Sequence, residues 1–124
     1  MRLREIPPEL WPDFCQVFSQ EHRGWLLSLL RVDPWGESEI LAHDRKLTSI
    51  FPGAEVEDAP QAEVVCVELD GGYPAMLAVD APQRIWLAET EDGAHEAVRI
   101  DSADGASTVV VFRAAARPDA VDGV

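Results

Sequence analysis

The side chains of this sequence that could do chemistry are three histidines, two cysteines and a large excess of carboxylates. A metal site needs convergent ligands at fitted spacing, and His22, His43 and His95 fall into none of the strong zinc patterns. His43 and Asp44 are adjacent, and neighbours on a strand point to opposite faces, so they are not expected to chelate together. His95 follows Gly93 and is expected close to a turn. Cys15 and His22 lie seven apart on a predicted helix. That separation is about two turns and about 10 Å of rise, beyond hydrogen-bond reach. No Gly-x-Ser-x-Gly elbow and no cysteine in electropositive surroundings appear, which removes the usual nucleophiles. Asp70-Gly71-Gly72-Tyr73 precedes a strand rather than a helix, so it reads as a hairpin turn and not as a phosphate cradle. Carboxylates are abundant, but paired-acid catalysis needs two acids in unlike environments. The sequence therefore names no catalytic residue, no cofactor and no metal ligand, and leans away from an enzyme.

One residue is a candidate for binding. Trp11, Trp25 and Trp86 sit in patterned segments and are expected in the core. Trp35 sits between Pro34 and Gly36, in a turn, where an exposed indole would be an interaction anchor. The competing expectation is that it folds back over the sheet edge.

Charge narrows the partners. The 124 residues carry 23 Asp+Glu against 10 Lys+Arg, a net charge of −13. No basic cluster is present, so neither nucleic acid nor an anionic membrane surface is an expected partner. A basic protein partner and self-association remain open, and the same charge also serves solubility. Cys15 and Cys66 each lie in an apolar run and are expected to be buried free thiols. No basic start followed by an apolar run marks a signal peptide, and no apolar run is long enough to span a bilayer. A cytoplasmic location is expected.

The elements that must position these residues follow from hydrophobic period. Leu10, Trp11, Phe14, Cys15, Val17 and Phe18 form one helical stripe. Pro12 belongs in a first turn, which predicts a helix over about 9–22. Gly24 is its stop, with His22 and Arg23 as favourable cations at the dipole's negative end. Beyond it the pattern is strand-like. The predicted strands are 25–32, 39–43, 47–51, 64–69, 73–79, 84–90, 96–101 and 107–113, with Asp33-Pro34-Trp35-Gly36 a turn, 54–62 a surface loop and Ala81-Pro82 a corner. Asp104-Gly105 is expected to form a two-residue type I′ turn that faces Ile100 with Val109 and Val98 with Val111. The fold class is α+β: one N-terminal helix on a curved antiparallel meander, or a small open barrel, of about 6–8 strands. A single globular domain is expected over 1–113 and a disordered tail over 114–124.

Arg4-Glu5-Ile6-Pro7, Trp11, Phe14, Phe18 and the block His22-Arg23-Gly24-Trp25-Leu26 together resemble a bacterial family of small domains of unknown function. The generic hairpin Ile100-Asp101-Ser102-Ala103-Asp104-Gly105 is similar too. The resemblance spans roughly residues 2–113, with Pro12 a departure at the helix start, and it implies no activity. The expected function is a non-catalytic binding or protein-interaction domain. The alternative is a small-molecule-binding barrel or minor enzyme with a pocket between helix and sheet.

Overall fold

The computed structural model describes residues 2–53 and 64–116. The chain opens on a strand that the sequence reading missed, β1 (Arg2–Ile6). Charged Arg2, Arg4 and Glu5 hide its strand character, and only pairing with a distant partner reveals it, in the register Arg4↔Leu87 and Ile6↔Ile85. A 3-10 turn (Pro8–Leu10) leads into α1 (Trp11–His22), close to the predicted helix. Trp11, Cys15, Phe18 and His22 are its buried face, the i, i+4, i+7, i+11 spacing that one helical stripe requires. Trp11 Nε1 donates to the Ile6 carbonyl at 2.8 Å, tying the helix start to β1. Gly24 ends the helix with φ +85°.

Seven more strands follow: β2 (Leu26–Val32), β3 (Ser38–Gly53), β4 (Val64–Asp70), β5 (Met76–Asp80), β6 (Pro82–Glu89), β7 (His95–Ser102) and β8 (Ser107–Ala116). All pairings are antiparallel, in the order β1-β6-β7-β8-β2-β3-β4-β5. The sheet is not closed, yet β5 at one edge runs into β6, beside the other edge, through Ala81 alone. A sheet can bring those strands end to end only by curling strongly, and Ala81 makes the corner with φ +47°. α1 packs on this curl, over a core that includes Leu27, Leu29, Leu47, Val67, Leu87, Ile100 and Val110.

Several expectations need correction. The two strands predicted over 39–43 and 47–51 are one 16-residue strand, β3. It survives the polar interruption through a bulge at Asp44 (φ +49°) within its pairing to β2, and pairing with β4 begins at Lys46. β8 continues to Ala116, whose backbone pairs with His95, so the first residues of the expected disordered tail are strand. The rest of that tail and the predicted 54–62 loop lie outside the described residues. The final hairpin pairs Ile100 with Thr108 and Val98 with Val110, one residue away from the expected register. Its loop holds three residues, Ala103-Asp104-Gly105, with Gly105 N–H donating to Ser102 O and Ser102 N–H to Ala106 O. A type I′ turn needs positive φ at both loop residues. Here only Gly105 has it (φ +90°), and Asp104 instead accepts from the Ala106 N–H at 2.9 Å. Turn chemistry decides the register because Val109 to Phe112 is apolar on both faces. The same construction closes Pro34–Gly36 and Glu91–Gly93.

Candidate functional site

The residues that converge most closely are two histidines far apart in sequence. His22 ends α1, and its Nδ1 meets the Phe18 carbonyl oxygen one turn back at 2.8 Å. His95 opens β7 and brings its Nδ1 to 3.1 Å from His22 Nε2. The two rings are 0% and 8% exposed. These contacts fix the protons. A carbonyl only accepts, so His22 Nδ1 carries hydrogen and donates. Neutral His22 then accepts at Nε2, and His95 Nδ1 must be the donor. His95 Nε2 is left as an unprotonated acceptor.

Surroundings keep the pair neutral. Phe18 stacks on His22 at 4.1 Å between centroids, with Phe112 at 5.0 Å and Trp25 at 6.1 Å. Burial in this aromatic cage lowers the pKa of both histidines below 6.5. For His22 the Phe18 carbonyl opposes the shift and His95 adds to it. For His95 the carboxylates of Glu89 and Glu21 oppose it, and Arg4 adds to it. His22 is thus buried and not the helix-end cation that the sequence suggested.

Beside His95 a groove of about 360 Å³ opens between α1, β1 and β6. Ile6, Pro7, Leu10, Phe14, Val17 and Leu87 give it an apolar lining. Arg4, Glu5, Asp13 and Glu21 add charge, and His95 is the one histidine in the wall. Its Nε2 lies 3.9 Å from Glu89 Oε2, and Glu89 Oε1 is 3.3 Å from Arg4 Nε. No buried side-chain nitrogen or oxygen among the described residues lacks a hydrogen-bond partner. Nε2 has no such partner, so it is reachable from outside rather than sealed, on a histidine that lines the groove. The lining holds no Ser, Thr or Cys among the described residues. The arrangement can accept a hydrogen bond, or a proton, at one fixed nitrogen within an apolar wall.

Other candidates stay apart from this groove. His43 is exposed and meets Ser28 Oγ at 3.1 Å and Asp44 Oδ2 at 3.6 Å. The opposite-faces expectation fails there because the Asp44 bulge breaks the pleat. No group of three or more metal-ligating side chains forms among the described residues. Cys15 and Cys66 are buried and unbridged, as expected. Burial pushes the Cys15 thiol up to about 12, which removes it as a nucleophile. Trp11 is core and Trp25 packs partly against it. Trp86, expected in the core, is half-buried on the other face of β6, donating to Asp101 Oδ2 at 2.9 Å with Arg99 over its ring. Ile85 and Leu87 take the inner positions. Trp35 does not fold back: it is 86% exposed. Its loop is held by Asp33 Oδ1, which accepts from the N–H groups of Trp35 and Glu37 at 3.0 and 2.9 Å. The neighbouring loop supports it, with Gly105 facing the Pro34 ring and Arg31 paired to Asp104 at 3.2 Å.

The sequence reading dismissed the histidines one by one. No local signal joins residues 73 apart; the available hint was that His22 falls on the apolar stripe of α1. No protein-family model, curated protein or solved structure matches the chain. No helix among the described residues is long and apolar enough to cross a membrane.

Proposed function

We propose that this chain is a non-catalytic binding domain whose ligand site is the groove between α1, β1 and β6. The observation that carries the reading is the groove itself: an apolar wall edged by carboxylates, with one imidazole, His95, whose orientation His22 fixes. Apolar walls with few placed polar groups are the usual make-up of small-molecule sites. The lack of a hydroxyl or thiol in the described lining weighs against the enzyme alternative. A cytoplasmic setting agrees with two unbridged thiols, and kinship with the small uncharacterised bacterial domains would add no activity.

The test is a fragment titration followed by amide and methyl NMR. Ligands should shift Phe14, Val17, Leu87 and His95 together. A screen in which no fragment moves those signals would sink the reading.

A second reading concerns Trp35. An indole this exposed on a pinned loop leaves about 2–3 kcal/mol of burial energy available to a partner. Asp33, Glu37 and Glu39 nearby favour a basic protein partner. Pull-down or sedimentation of wild type against Trp35→Ala tests it, and equal association by both would remove it.

A further inference from the structure

We infer that the groove selects a small amphipathic amine, its apolar group against Phe14, Val17 and Leu87 and its ammonium donating to His95 Nε2. This rests on the groove being a binding site, and it adds the chemical class of the ligand. Three observations converge. First, His95 cannot donate into the groove while neutral. Its Nδ1 hydrogen is committed to His22, which is committed in turn to the Phe18 carbonyl. The group that meets Nε2 must bring its own hydrogen. Second, the local charge is negative. Glu5, Asp13 and Glu21 line the groove and Glu89 lies 3.9 Å from His95 Nε2, against Arg4 alone, and Arg4 is already paired with Glu89. Third, Glu21 is half-exposed and has no hydrogen-bond or ion-pair partner among the described residues, although its field reaches His95. A carboxylate in that position complements a cation seated at the imidazole. A carboxylate ligand would meet repulsion from Glu21 and Glu89 and a lone pair instead of a donor.

The same geometry makes the site sensitive to pH. The groups facing His95 are His22 and Glu21 from α1, Glu89 from β6 and Arg4 from β1. Once protonated, His95 Nε2 becomes a donor directed at Glu89 and repels an ammonium. Amine binding is therefore lost on acidification, while an anion gains.

The experiment compares 2-phenylethylamine, 2-phenylethanol and 3-phenylpropanoate by NMR titration from pH 8 down to pH 5. These probes share one apolar group and differ at the head. The amine stays protonated throughout, as lysine does. At pH 8 the amine should bind about tenfold more tightly than the alcohol, the gain of a charge-assisted over a neutral hydrogen bond, and the propanoate most weakly. Amine affinity should fall along the His95 protonation curve, read from its ring carbon shifts in the same samples. Glu21→Gln, a half-exposed and fold-safe change, should weaken the amine several-fold and leave the alcohol unchanged. If all three probes shift the groove signals with equal affinity, the groove reading stands and the amine inference fails. If the propanoate wins at pH 8, the inference is reversed. If no probe moves the groove signals, both fail.

Discussion

The histidine groove and the Trp35 loop hold one conspicuous side chain each in opposite ways. In the loop, the turn itself is set within five residues: Asp33 supplies the acceptor, Pro34 and Gly36 the backbone, and Trp35 stands in water. In the groove, α1, β1, β6 and β7 must all dock before His95 has an orientation. The loop can lose its exposed indole at no cost to the fold. The groove has built its imidazole into the core. The difference teaches that exposure and energetic importance run in opposite directions here.

That contrast can be broken by mutation. The largest effect should come from His22→Ala. It empties a caged ring and leaves His95 Nδ1 without its acceptor, costing about 3–5 kcal/mol by cavity and hydrogen-bond terms together. Urea unfolding measures it, and a loss under 1 kcal/mol would mean that the pair does not hold the fold.

Next comes acidification. Both histidines titrate below 6.5 when folded, so the unfolded chain binds more protons as pH falls through that value. Stability present above pH 6.5 should decline below it, and the decline should be smaller in His22→Ala. Unfolding free energies at pH 7.5 and 5.5 give the comparison; equal slopes in the two proteins would contradict it.

Gly105→Ala should cost about 1–2 kcal/mol, because φ is +90° and a left-handed backbone disfavours any Cβ. The added carbon would also meet the Pro34 ring at 3.2 Å. Sharper still, this variant should disturb the Trp35 loop signals in NMR while the groove signals stay in place. Trp35→Ala should change stability by no more than about 0.5 kcal/mol, as exposed substitutions do. A large fall in its thermal midpoint would place the indole in a packed environment.

How much of this was legible follows from the same distinction. The helix, its Gly24 stop, the strand-rich remainder and the position of nearly every turn could be read, because hydrophobic period and Gly, Pro and Asp placement act locally. β1 could not: nothing in Arg2-Leu3-Arg4-Glu5-Ile6 demands a strand until β6 is beside it. β3 read as two strands because a bulge and a break look alike in one dimension. Trp35 was visible as a loop tryptophan, and only the structure decided its exposure. The histidine pair was invisible, since it belongs to no motif and exists through topology alone.

The strand order also has a consequence for how the protein is made. β8, the last strand in the described chain, sits between β7 and β2 in the middle of the sheet. Until it emerges from the ribosome, β2 to β5 form one ribbon and β1, β6 and β7 another, with no hydrogen-bonded strand joining them. Both ribbons then present a bare inner margin, the template on which strands mispair between chains. A nascent chain that has not yet reached β8 carries these open margins. Among the described residues, then, the central joint arrives last, and a stop codon shortly before Ser107 should yield an aggregating product rather than a smaller folded domain.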